Sequence, residues 1–161
     1  MATIHMLVGI PGAGKSTYCR ETLSKKYPNA IVIASDIVRD NNPQMSEDQI
    51  WPEIFRLCSS AINGGNDIIY DATNITPKVR NNFFNELANR GCKDYEKIAY
   101  YFPTNPRLCE ERVKIRNLDS HERFLPIEII DGYGKNIIAP TLEEGFKEII
   151  TVDNNKDKVC N

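Results

Sequence analysis

A chain of 161 residues, with 41% hydrophobic and 26% charged side chains, has the size and composition of one soluble domain, and no apolar run is long enough to span a bilayer. The formal net charge of -2 argues against a large basic surface for wrapping duplex nucleic acid, while leaving room for a single-stranded end in a small basic cleft. Five widely spaced cysteines without a C-x-x-C pair, and only two histidines, exclude a disulfide framework and a zinc site; with no secretion signal among the first residues, a reducing cytoplasm is the expected setting.

The chain opens with the apolar run Ile4-His5-Met6-Leu7-Val8, which predicts a strand, and Gly9-Ile10-Pro11-Gly12-Ala13-Gly14-Lys15-Ser16-Thr17 follows at once. That segment fills the G-x-x-x-x-G-K-[ST] template of a phosphate-binding loop. Glycines at 9, 12 and 14 are expected to adopt positive φ so that successive N–H groups, those of Gly12, Ala13 and Gly14 included, turn inward on an anion. Lys15 is placed to bridge the β and γ phosphates of ATP and Ser16 to ligate Mg2+, with Thr17 beside it. A helix over residues 16–26 aims its positive end at the same anion.

Ala30 to Ala34 predicts a second strand, and Ser35-Asp36-Ile37-Val38-Arg39 follows it directly. Residues 46–63 have helical spacing with Ser46 as cap, Asn63-Gly64-Gly65-Asn66 is a turn, and Asp67-Ile68-Ile69-Tyr70 is a third strand ending at Asp71. A helix over residues 77–90 is capped by Thr76 and stopped by Gly91; residues 95–102 form a fourth strand, and residues 106–116 another helix. Glu148 to Val152 is the fifth strand. Strand and helix alternate, so the expected fold is α/β: one domain over residues 1–152 with a mainly parallel sheet covered on both faces, and a loose polar tail over 153–161.

In such a sheet ligands sit at the carboxyl ends of the strands, and the residues there carry chemistry. Asp36 is the candidate general base, a carboxylate that orients a hydroxyl nucleophile and accepts its proton. Arg39, one helical turn on, would hold an anionic part of the acceptor, although a cap at Ser35 or Asp36 and a surface arginine would give the same pattern. Asp71 ends its strand as in the second magnesium motif of phosphate-loop enzymes and is expected to reach Ser16 or a metal-bound water. Thr73 and Asn74 either line the acceptor site or serve the turn. Arg112 and Arg116 share a helix face, with Arg123 further on, a cluster suited to closing over a triphosphate; a solvated face paired with Glu110 and Glu111 is the plainer account. Trp51 and Phe55 read first as core and second as a platform for a base, and neither His5 nor His121 is given a chemical role.

Taken together, Gly9 to Thr17, Ser35-Asp36-x-x-Arg39, Asp71-Ala72-Thr73-Asn74 with Arg80, Arg112 and Arg116, and Tyr133 with Ala139-Pro140-Thr141-Leu142-Glu143-Glu144-Gly145-Phe146 resemble the kinase domain of polynucleotide 5′-hydroxyl kinases. The resemblance spans almost the whole chain and implies a three-layer P-loop NTPase fold with an arginine-bearing lid. It implies that Lys15 and Ser16 bind ATP and magnesium, that Asp36 is the base, that Arg39 and Arg80 belong to the acceptor side, and that a lid arginine clamps the transferring phosphate. Extra residues before Leu125-Pro126 depart from the family pattern, so Arg116 is the first choice for the clamp and Arg123 its competitor. The implied acceptor is the 5′-hydroxyl end of RNA or DNA. No Asp-x-Asp phosphatase motif occurs, so the resemblance implies a lone kinase, or a fragment or partner of a larger repair system in which a phosphatase or ligase would be the partner. A phosphate-loop kinase for a nucleoside, sugar or other metabolite, and a nucleotide-gated binding module, are the alternatives.

Overall fold

A computed structural model describes residues 1–119 and 124–153. Five strands form one sheet in the order β2-β3-β1-β4-β5, with β1 Ala2–Val8, β2 Ile31–Ala34, β3 Ile68–Asp71, β4 Tyr95–Tyr101 and β5 Glu148–Thr151. Every pairing is parallel, so the expectation of a mainly parallel sheet is met in its strictest form. The register sets Ile4 opposite Ile68 and Lys97, and Ala34 opposite Asp71. The carboxyl ends of β2, β3 and β1 therefore stand side by side, and the loops that follow them share one rim.

The helices are α1 Lys15–Tyr18, α2 Ser24–Lys26, α3 Ser35–Asn41, α4 Glu47–Asn63, α5 Pro77–Asn89, α6 Pro106–Asn117 and α7 Glu128–Asn136. A π-helical stretch, Cys19–Leu23, joins α1 to α2, so the expected helix after the loop is continuous but widened in its middle. The caps fall where side chains supply them. The Ser46 N–H donates to Gln49 Oε1 at 2.9 Å before α4, Thr76 Oγ1 accepts from the Val79 N–H at 3.2 Å before α5, and Gly91 closes α5 with φ of 80°.

Because both faces of a parallel sheet are covered, β1 is buried along nearly its whole length and divides its apolar side chains between two cores. Ile4, Met6 and Val8 pack with Ile54, Phe83 and Leu87 of α4 and α5, while Leu7 packs with Leu23, Tyr100, Cys109, Val113 and Ile130 beneath α6 and α7. Three layers result, with the loop after β1 held between the two helical ones. Phe55 belongs to the first core and half-buried Trp51 packs against it. Cys19, Cys58, Cys92 and Cys109 are buried free thiols. Among the described residues no helix is long and apolar enough to cross a membrane.

α7 is the element the sequence reading passed over, because Gly132 and Gly134 interrupt it. Its signal was present: Ile127, Ile130, Tyr133 and Ile137 recur at helical spacing, and all face the second core. Gly134 is there for contact rather than conformation. A Cβ at this position would lie 2.7 Å from Pro106 Cγ, so α7 approaches the start of α6 too closely for any side chain.

Candidate active site

The loop from Gly9 to Gly14 leaves the carboxyl end of β1, and two of its glycines are demanded by the backbone. Gly12 and Gly14 have φ of 83° and 93°, which side-chain-bearing residues adopt only with strain. Gly9 does not have the expected positive φ; it is small because a Cβ there would meet Phe102 Cβ at 3.0 Å and Ala13 Cβ at 3.3 Å. Gly12 lies against α6, where an added Cβ would be 2.7 Å from the Cys109 carbonyl oxygen. The loop is thus braced by β4 on one side and α6 on the other.

Lys15 opens α1 with its side chain folded back over the loop, and Nζ donates to the Ile10 carbonyl at 3.0 Å. It is buried. Burial lowers the ammonium from its ordinary value, Arg116 pushes the same way, and the carboxylates of Asp71 and Asp36 oppose them. Ser16 Oγ donates to Asp71 Oδ2 at 2.8 Å, which joins the first turn of α1 to the end of β3 as the sequence reading expected. A serine hydroxyl and a buried carboxylate in this contact form an all-oxygen pair of the kind magnesium prefers. The donor set fits a nucleotide triphosphate and its metal.

The loop after β3 is tied to the phosphate loop by backbone and amide. The Gly9 N–H donates to the Thr73 carbonyl at 3.0 Å, and Asn74, held at φ of 48°, donates from Nδ2 to the Leu7 carbonyl at 2.8 Å. Asn74 is buried, so its amide serves the turn, the second of the two roles its position allowed. Thr73 stays half-buried at the rim. For Arg80 an acceptor contact does not fit the geometry, because the side chain is 0% exposed and already engaged throughout. Its guanidinium donates to Glu144 Oε1 at 2.8 Å and Oε2 at 3.2 Å, and to the carbonyls of Asn74, Ile138 and Ala139 at 2.7, 3.0 and 3.5 Å. It fastens residues 138–144 to the β3 loop. Burial raises the Glu144 carboxyl, but bonds from Arg80 and Thr141 outweigh it and leave the group below its ordinary value.

Across the rim, α3 begins at Ser35 directly from β2 and presents Asp36 to solvent, with its side chain 61% exposed. Arg39 donates from Nη1 to Asp36 Oδ1 at 2.9 Å. Its other edge is bidentate to Glu47, Nε to Oε2 and Nη2 to Oε1, both at 3.0 Å. The same guanidinium lies over Trp51, 5.3 Å from the ring centroid. Trp51 is therefore a platform for Arg39. Glu47 was not foreseen, since a glutamate in the first turn of a helix reads as a dipole partner.

The lid helices carry the remaining candidates. Arg112 Nη1 donates to the Gly12 carbonyl at 3.0 Å, so this arginine grips the phosphate loop by its backbone. Arg116 Nε is buried and has no hydrogen-bond partner. It is also near enough to Lys15 to disfavour the ammonium. Two cations at a glycine loop, one with a buried orphan donor, fit an anion placed between them. Arg123 and His121 lie outside the described residues.

The family described as AAA domain matches residues 4–137. Among solved structures, a kinase candidate from Chloroflexus aurantiacus J-10-fl is similar, with a TM-score of 0.73 at 12% identity, covering 96% of this chain and 89% of that one. A fungal RNA kinase has a TM-score of 0.68 at 17% identity, covering 98% and 76%, and a gluconokinase from Sinorhizobium meliloti 1021 a TM-score of 0.59 at 13% identity, covering 96% and 83%. At such identities what is shared is the phosphate-loop α/β fold.

Proposed function

Since the chain belongs to the AAA-domain family, a family of phosphate-loop kinases, we propose that it transfers the γ-phosphate of ATP to a hydroxyl acceptor, in the favoured case the 5′-hydroxyl end of RNA or DNA. The observation that carries the reading is the convergence on one rim of Lys15, the Ser16–Asp71 pair at 2.8 Å and the buried, unpartnered Nε of Arg116. Lys15 and the loop N–H groups bind the triphosphate. Ser16 and Asp71 are the residues that would hold magnesium, which supplies charge neutralisation on the phosphates when bound. Asp36 accepts the proton of the attacking hydroxyl as its oxygen bonds to the γ-phosphorus, and ADP departs with the electrons of the broken bond. Arg116 donates to the equatorial oxygens, whose charge it disperses in the transition state.

Arg39 beside Asp36 supports an acceptor that carries an anion near its hydroxyl, as a nucleic acid end does. The similar RNA kinase fits that acceptor, and the similar gluconokinase fits a sugar on the same machinery. Transfer of labelled γ-phosphate to a 5′-hydroxyl oligonucleotide, run beside nucleosides and sugars, decides between them. Label on the oligonucleotide, with binding that weakens steeply as salt rises, is the expected result. Label on a sugar alone would make this a metabolite kinase, and ATP binding with no acceptor labelled would favour the nucleotide-gated module.

A further inference from the structure

We infer that Asn117 is a positioning residue for the phosphate clamp: its amide, bonded both ways to the backbone of Leu125, fixes the last turn of α6 and with it the side chain of Arg116. The inference rests on the phosphotransferase reading and deepens its account of the clamp. Asn117 Nδ2 donates to the Leu125 carbonyl at 2.8 Å, and Asn117 Oδ1 accepts from the Leu125 N–H at 3.0 Å. One side-chain amide thereby makes both of the bonds that a strand neighbour exchanges in an antiparallel pair.

The anchor of this clasp is firm. Leu125 packs against the second core, in which Cys109 and Val113 of α6 and Ile130 of α7 are buried. Asn117 is the last residue of α6, and helix ends, whose final carbonyls lack intrahelical donors, open before helix middles do. The outer side of this turn faces solvent, with Ile115 51% and Leu118 86% exposed. Arg116 stands in the same turn with Nε buried and unpartnered, a donor that would gain a hydrogen bond from water as soon as the turn opened. A cation held dry in that state is drawn back toward solvent, and the clasp one residue along opposes it. Arg116 is thereby kept within electrostatic reach of Lys15 before any nucleotide arrives, so its contact with the transferring phosphate needs no rearrangement.

The test compares the parent chain with Asn117→Asp and Asn117→Ala, each also made in an Arg116→Ala background. Asn117→Asp keeps the shape and the bond from the Leu125 N–H but sets a carboxylate oxygen against the Leu125 carbonyl. Both variants are expected to lower kcat by about 10-fold or more with Kd for ATP within about twofold, and to cost less than about twofold once Arg116 is alanine. Calorimetry without any acceptor should show the same selectivity. ADP with magnesium is expected to bind the variants as it binds the parent, while the gain in affinity on adding aluminium fluoride, a mimic of the transferring phosphoryl group, is lost. Equal kcat losses with and without Arg116, or an undiminished gain with aluminium fluoride, overturn the proposal and make Asn117 a brace for the fold. A parent that shows no such gain overturns it as well. A parent that shows the gain, loses it in Asn117→Asp and yet labels no acceptor would instead sink the transfer reading and leave Asn117 in its role.

Discussion

Asp36 and Arg116 act on Lys15 with opposite signs, and the kinase reading asks different things of them. Asp36→Ala removes proton acceptance and leaves the phosphate loop whole, so transfer is expected to fall at least about 100-fold while ATP binding persists. A variant that transfers phosphate as fast as the parent would mean that another group accepts the proton. Arg116→Ala should lower kcat by roughly 100- to 1,000-fold and weaken ATP binding much less, because a buried donor without a ground-state partner is arranged for charge that develops later. Single-turnover rates set beside ATP titrations separate the two effects. Equal loss in Arg123→Ala with a silent Arg116→Ala would move the clamp.

The elements most exposed to substitution are those that hold loops to one another. Arg80 joins residues 138–144 to the β3 loop through five hydrogen bonds, and Arg80→Ala would take a fully buried guanidinium from half-buried Glu144, which keeps its bonds from Thr141, and from the carbonyls of Asn74, Ile138 and Ala139. Breaking a buried pair by removing one partner costs about 3–5 kcal/mol, so urea denaturation should report a loss of that order. A loss below about 1 kcal/mol would mean that water replaces the guanidinium. Much at this scale was legible beforehand. The five strands, the helices from residue 46, residue 77 and residue 106, and the Ser16–Asp71 contact all follow from local pattern, because periodicity, caps and a motif act over short distances. What escaped depends on long-range neighbours. Gly9 is small because Phe102 of the distant β4 end presses on it, α7 tolerates Gly134 because Pro106 leaves no room, and Arg80 looks like a surface cation until Glu144 arrives from far along the chain. Glu47 belongs with these, since its meaning comes from Arg39 across the gap between two helices.

At the scale of the whole molecule the sheet sets a pH limit, through a histidine to which the sequence reading gave no part. His5 lies in the middle of β1, 1% exposed, with Nδ1 2.8 Å from the Tyr100 hydroxyl, its ring 4.2 Å from that of Tyr27, and Nε2 buried without a partner. Burial lowers its pKa below 6.5; Asp67 pulls upward against that, and Lys26 adds to the lowering. A group whose folded value lies below its unfolded one binds its proton more readily in the unfolded chain. Stability is therefore full above about pH 6.5 and is lost as pH falls from there through the folded value, with a slope of at most about 1.4 kcal/mol per pH unit. Glu144 acts in the same direction but only below the ordinary carboxyl range, so the interval from pH 6.5 to 5 separates the two. Thermal unfolding followed at pH 7 and pH 5 should show a larger drop in Tm for the parent than for His5→Gln, whose amide can still meet Tyr100 but takes up no proton. Equal drops would show that the acid sensitivity arises elsewhere. Because β1 leads directly into the phosphate loop, the same acidification is expected to weaken ATP binding in the parent before the global transition, as the strand that anchors Gly9 loosens.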